Sequence, residues 1–243
     1  MLLTILMPLY NEEATAARII NEVLRLKINL ELIIINNGST DGTSEVLHQF
    51  ADRPNVRIIE NERNIGKGDG IIAGLKYASG EYTVIQDGDL EYDPLDLVKM
   101  LKVAEDNRAS AVFGSRTLNP KSGVSYQRYL LGGKLLTVLA NLLFRVNITD
   151  ESTCYKMIRT DILKGMNLVS RKFEFCPEVV AKLGRNNIKI YEIPVTYRPR
   201  KFEEGKKINW KDGIQAIWTL FKYRLYPFSK VAIKSEQQTA DNR

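Results

Sequence analysis

Cysteine and histidine are nearly absent: the 243 residues hold two cysteines and one histidine. Cys154 and Cys176 are too few for a disulfide framework or a zinc cluster, so both are expected as free, packed thiols. His48 follows helix-like residues and is expected at the surface, which removes histidine acid–base and metal chemistry. Long apolar runs are also missing. Crossing a bilayer takes about 20 apolar residues, and the longest candidate, Leu135 to Phe144, is about half that. No basic segment precedes the apolar start at Leu2, and Pro8 interrupts it, so it does not read as a secretory signal and a cytoplasmic location is expected. No Walker lysine pattern occurs. In Asn64-Ile65-Gly66-Lys67-Gly68-Asp69-Gly70 the third glycine of a dinucleotide fingerprint is misplaced, position 71 being Ile. That segment can still hold part of a nucleotide through helix-start N–H groups and one lysine.

What is present is an ordinary globular composition with a formal charge of +6, compatible with nucleic acid, phospholipid headgroups or a diphosphate. The length suits one α/β domain over 1–225, followed by a C-terminal tail over 226–243 that reads as disordered from about residue 235. Leu3 to Leu9 reads as a buried strand, and Ala16, Ile19, Ile20, Val23 and Leu24 carry the spacing of an amphipathic helix. Strand–turn–helix then recurs: strands at Leu30 to Ile35, Val56 to Ile59 and Tyr82 to Ile85, with helices at Ser44 to Phe50, through Ala73 to Ala78, and from Pro94 to about Asp106. Such alternation predicts a doubly wound, mostly parallel sheet covered on both faces, with its ligands at the carboxyl ends of the strands. A fifth strand at Ala111 to Gly114, a long helix over 126–146, a strand over 188–197 and an amphipathic helix over 208–223 complete the pattern.

Four polar segments follow these strands. Asp87-Gly88-Asp89-Leu90-Glu91 offers alternating carboxylates that at a strand end are expected to point the same way, hard oxygen donors that suit Mg²⁺ or Mn²⁺ bridging a diphosphate. Pro8-Leu9-Tyr10-Asn11-Glu12-Glu13 reads as a helix start capped by Asn11, and also as a nucleotide pocket in which Tyr10 stacks and Glu12 accepts from ribose hydroxyls. Asn36 to Thr43 reads as a turn and cap, with Asn37 facing the base or ribose. The fourth is the glycine-rich segment around Lys67.

These motifs, in this order and spacing, resemble family 2 glycosyltransferases of the GT-A fold, in particular those like the dolichol-phosphate mannose synthases and other polyprenyl-phosphate glycosyltransferases. The resemblance covers the chain to about residue 225. It implies a donor-nucleotide pocket of Pro8, Tyr10, Asn11, Glu12, Asn37, Asp41, Lys67, Asp87 and Gly88, with a metal on Asp87, Asp89 and Glu91. Asn37 stands where many relatives carry aspartate, and Glu91 where mannose synthases carry glutamine. Ser115, Arg116 and Arg128 resemble the acceptor-phosphate segment, and Arg198, Arg200, Lys206 and Lys207 the basic loop over the donor diphosphate.

The implied reaction is inverting transfer of a hexose, from GDP-mannose or a UDP-sugar, with Asp89, Arg116 and Arg198 as the catalytic set. A lipid phosphate acceptor is already anionic and needs no protein base; a sugar hydroxyl would need one of Asp150, Glu151 or Glu174. Trp210, Ile214, Ile217, Trp218, Phe221 and Leu225, flanked by Lys211, Lys222, Arg224 and Lys230, fit either a core-facing helix or one lying on a membrane surface, as does Leu135 to Phe144. Peripheral attachment to the inner membrane face, or to a separate membrane protein, follows as an expectation. A sugar nucleotidyltransferase would place a glycine-rich basic loop where Tyr10-Asn11-Glu12 stands. A nucleic-acid module would have to accommodate the acidic Glu12, Asp41, Asp87 and Asp89, so no nucleic-acid partner is expected.

Overall fold

The computed structural model describes residues 1–123, 127–200 and 210–227, with only the backbone of 127–130. Lys206, Lys207, Lys230 and the tail from 228 lie outside the described residues, as does the side chain of Arg128.

Seven strands form one sheet: β1 (Leu3–Leu9), β2 (Leu30–Asn36), β3 (Val56–Glu60), β4 (Tyr82–Ile85), β5 (Ala111–Ser115), β6 (Lys156–Arg159) and β7 (Ile190–Pro194). Their order is β3-β2-β1-β4-β6-β5-β7. The helices α1 (Glu13–Leu24), α2 (Thr43–His48), α3 (Lys67–Leu75) and α4 (Leu95–Asp106) follow the first four strands in turn, as the apolar periodicity predicts. Strands β1 to β4 are parallel and β1 is central, so its side chains are buried on both faces.

The second half departs from simple alternation. Strand β6 inserts antiparallel between β4 and β5, while β7 runs parallel to β5. Its four residues, Lys-Met-Ile-Arg, carry two cations, which hides a central strand from an apolar scan. Lys156 is nevertheless 1% exposed, its ammonium satisfied by the carbonyls of Glu151 and Thr153. Short α6 (Thr160–Gly165) follows β6. Beyond it α7 (Phe175–Arg185) packs against α5 (Gln127–Phe144) and α8 (Trp210–Leu225), which also pack on each other.

The α7–α8 contact is fixed by a buried polar set. Glu178 accepts from Lys182 Nζ at 2.6 Å, from Tyr223 Oη at 2.7 Å and from the amides of Val169 and Ser170. Burial alone would raise the Glu178 carboxyl, but its hydrogen bonds from Lys182, Tyr223 and Ser170 outweigh this and hold it below its ordinary 4.5. Breaking such a pair leaves a buried charge alone. Lys182→Met is expected to cost about 3–5 kcal/mol in denaturant unfolding. A depressed carboxyl stabilises the fold fully above its ordinary value and loses that contribution as pH falls through its folded value. The variant's Tm should therefore fall less steeply than the wild type's from about pH 5 to about pH 3.

Candidate active site

The site begins where β1 and β4 part. Leu6 still pairs with Ile85, and Gln86 N donates to Leu6 O at 2.9 Å. The next residue of β1 whose backbone faces β4 is Pro8, which has no N–H to continue the ladder. This is the point where strand order reverses, with β2 and β3 to one side and β4 to the other, the place where open α/β sheets bind ligands.

The turns after β1 and β2 are stitched together across it. Asn11, at φ 51°, accepts from Thr40 N at 2.8 Å and donates its backbone N–H to Ser39 Oγ. Asp41 accepts from Glu13 N, and Thr43 Oγ1 from Glu12 N, so α1 is capped by side chains of the neighbouring turn. Asn11 therefore links two turns and is not the helix cap, a position that Glu12 occupies.

Alternating carboxylates were expected to point the same way. The structure corrects this, because β4 ends at Ile85 and Asp87 to Glu91 form a turn with Leu90 at φ 60°. Asp87 turns inward and pairs with Lys67 Nζ at 2.5 Å; Lys67 also donates to Cys154 Sγ at 3.4 Å. Burial would raise Asp87, but the Lys67 charge holds it below its ordinary range. Asp89 faces the cleft. Burial, then repulsion from Asp87 and Glu91, pushes its carboxyl up to about 7. Glu91 points to the opposite strand segment, accepting from Tyr197 Oη at 2.8 Å and from Arg200 N at 2.7 Å. Three converging metal ligands are thus not what the turn builds: no group of three histidine, cysteine or carboxylate side chains that could hold an ion exists among the described residues. At Gly88 an added Cβ would lie 2.2 Å from Leu9 Cδ2, so a side chain there would have to displace the buried end of Leu9.

A cleft of about 940 Å³ opens over this turn, lined by Asn11, Glu12, Asp41, Asp89, Arg198 and Arg200 among others. Arg200 reaches Glu12 Oε2 at 2.8 Å and Asp89 O at 2.7 Å, fastening residues 197–200 across the cleft as a strap. Arg198 is exposed, with its N–H on Glu91 O. Other expected donor residues lie below the cleft. Tyr10 is half-buried, and Pro8 is buried within β1. Asn37 is 4% exposed, with its amide oxygen taken by Asn61 and Gly70 against it, so an open face toward a base or ribose is corrected to a packing role.

The glycine-rich start of α3 is not among the residues that line this cleft. The 170–172 backbone lies on it: Asp69 N donates to Arg171 O at 2.8 Å, and Cβ atoms at Gly66 and Gly68 would meet Arg171 O at 2.5 Å and Ser170 O at 2.3 Å. Those glycines serve a close backbone crossing, and Lys67 serves Asp87.

On the other side of the strap, Arg116 forms a two-pronged pair with Asp150, both bonds 2.7 Å, and lies over the Tyr197 ring at 5.1 Å. Ser115, expected at the acceptor, is fully buried, its hydroxyl 2.6 Å from that of Thr149. Sequence reasoning missed Cys154, Tyr197 and the capping Thr43. For Tyr197, the aromatic next to Arg198 was an available signal; for Cys154, 87 residues from Lys67, no local signal existed.

Residues 4–166 match the sequence profile described as Glycosyl transferase family 2. The chain belongs to this family. Among curated relatives, a dodecaprenyl-phosphate galacturonate synthase of Rhizobium johnstonii is 27% identical over 210 residues, covering 84% of this chain and 61% of that protein. A dolichyl-phosphate beta-glucosyltransferase of Trichomonas vaginalis is 27% identical, covering 91% of this chain and 72% of that one. The chain spans 51% of a low-salt glycan biosynthesis hexosyltransferase of Haloferax volcanii, at 26% identity. Among solved structures, glucosyl-3-phosphoglycerate synthase of Mycobacterium tuberculosis, in complex with Mn²⁺, UDP and phosphoglyceric acid, superposes with a TM-score of 0.67 at 20% identity, over 93% of this chain and 80% of that one. The fold of this family 2 chain is the GT-A glycosyltransferase fold.

The crossing at α3 yields a paired prediction. Gly68→Ala should destabilise the family 2 fold by about 1–3 kcal/mol, since a carbonyl must move. Gly132→Ala, in α5 with nothing within 4 Å of its Cβ, should stabilise it by about 0.5–1 kcal/mol. Thermal or denaturant unfolding of the two variants reads both signs.

Proposed function

We propose that this glycosyltransferase moves a hexose from a GDP- or UDP-linked donor to a polyprenyl or dolichyl phosphate at the cytoplasmic membrane face, with inversion at the anomeric carbon. The observation that carries the proposal is Asp89: a cleft-facing carboxylate crowded by Asp87 and Glu91, opposite a strap bearing Arg198 and Arg200. No lysine or arginine among the described residues forms an ion pair with it, and its one hydrogen bond comes from Glu91 N. A divalent ion fits there, because Mg²⁺ or Mn²⁺ needs only one or two protein carboxylates when substrate phosphates complete its shell. Bound, it would neutralise the charge that develops on the leaving diphosphate. The M. tuberculosis structure, with Mn²⁺ and UDP, accords with this.

The chain's own residues supply the rest. Arg198 and Arg200 add positive charge on the far wall of the cleft, and Lys206 and Lys207 belong to the same proposed clamp. Glu12 accepts from the ribose once Arg200 leaves it for the diphosphate. Arg116 keeps N–H groups beyond its Asp150 pair and presents them, with Arg128, to the acceptor phosphate.

A phosphate acceptor suits the carboxylates better than a hydroxyl does. Asp150 is held by Arg116, whose charge overrides burial and keeps it below its ordinary range, so it is a poor proton acceptor. Glu151 is fully buried, and Glu174 accepts from Lys172 N in its own loop. The names of the Rhizobium and Trichomonas relatives, both polyprenyl-type phosphates, point the same way.

The test is a melting panel of GDP- and UDP-sugars with and without Mg²⁺ or Mn²⁺, followed by turnover on a short polyprenyl phosphate. A matched donor at about 100 times its Kd should stabilise the fold by about 2.7 kcal/mol, only when metal is present. Asp89→Ala should abolish both the metal-dependent shift and turnover. Transfer that persists in Asp89→Ala, or a panel with no shift, would sink the proposal.

A further inference from the structure

Helices α5 and α8 are apolar on two opposite faces. On α8, Ala216, Thr219, Leu220 and Tyr223 face the core, and Arg185 ties down its end through the carbonyls of Tyr223 and Tyr226. The opposite side carries Trp210, Ile214, Trp218, Phe221 and Leu225, with Trp210 71% and Trp218 61% exposed. On α5, Thr137, Ala140 and Phe144 are buried, while Leu131, Leu135, Val138 and Leu142 form an outward ridge at spacings of four, three and four. An amphipathic helix needs only one apolar face to bury itself.

The two ridges stand on neighbouring helices, since α5 and α8 pack on α7 and on each other. The buried Glu178, Lys182 and Tyr223 set holds α8 in this orientation before anything docks. Monomeric proteins rarely leave large apolar patches uncovered.

Charge decides the occupant. Exposed Lys134 on α5 and Lys211, Lys222 and Arg224 on α8 border the ridges; α5 has no acidic residue in its sequence and α8 has one, Asp212. A second copy would set these cationic borders against each other, whereas anionic lipid headgroups complement them. Exposed tryptophans beside lysines suit the boundary between headgroups and acyl chains.

We infer that the paired outer ridges of α5 and α8 are a preformed docking surface for an anionic lipid bilayer. The inference rests on the proposed lipid-phosphate acceptor only for its purpose, and its test needs neither donor nor acceptor.

Both tryptophans of the chain lie on this surface, so intrinsic fluorescence reads it directly. The full chain is mixed with vesicles of phosphatidylcholine alone or with added phosphatidylglycerol. The expected result is a blue shift in emission and co-flotation with the anionic vesicles, weakened by salt. Val138→Asp combined with Phe221→Asp, both exposed and both leaving the tryptophans in place, should cut vesicle affinity at least ten-fold, with Tm and the nucleotide-dependent melting shift unchanged. Three outcomes would overturn the inference: no binding to either vesicle, equal binding by the variant, or self-association through these ridges that the variant abolishes. Vesicle binding without lipid-phosphate turnover would leave this surface standing while the proposed acceptor fell.

Discussion

The parting of β1 from β4 sets everything else at the site. Ladder pairing stops at Leu6 and Ile85, and Pro8 cannot donate across the gap. The two strand ends therefore release their turns in different directions. One turn is tied to the neighbouring α/β unit through Asn11, Thr40, Asp41 and Glu13. The other, with Leu90 in a left-handed conformation, delivers Asp89 into the opening. A cleft at this place follows from backbone chemistry before any ligand is considered.

Glu12, Asp87, Asp89 and Glu91 lie close together, and each meets a different answer. Asp87 receives Lys67, Glu12 receives Arg200, and Glu91 is satisfied by Tyr197 and the Arg200 backbone. Arg200 bonds the Asp89 backbone carbonyl, and its charge only partly offsets the repulsion of the Asp89 carboxyl by Asp87 and Glu91. The protein has thus neutralised or hydrogen-bonded the surrounding carboxylates and left the central one buried and repelled by its neighbours, so that it holds its proton more tightly than an ordinary aspartate. Two aspartates two residues apart are driven in opposite directions, one below its ordinary range and one up to about 7.

The first half of the fold was legible because buried parallel strands are continuous apolar runs, and Leu3 to Leu9 or Leu30 to Asn36 cannot be read otherwise. Strand β6 was not, since Lys156 is buried by wrapping its ammonium in backbone carbonyls, an arrangement set by the fold and not by neighbours in sequence. Helix α7 escaped for a similar reason: Glu178 and Lys182 mark an exposed face in any periodicity count, yet both are buried. At the site, the segments around Glu12, Asp41, Asp89 and Arg200 that the motifs named come together at one cleft. Which carboxylate faces the cleft was hidden, because spacing of two fixes a common face only inside a strand, and β4 ends before Asp87.

The same limit explains why α5 and α8 stayed ambiguous between core and membrane. A helical stripe of apolar residues says that one face wants to leave water, and it does not say which surface receives it. The core of this fold takes the face of α8 containing Ala216, Leu220 and Tyr223, where the small Ala216 and Thr219 permit close packing and Tyr223 reaches buried Glu178. That choice consumes the available interior. The bulkier face, with both tryptophans, is left outside with cations along its edges, and covering it would remove further apolar surface from water.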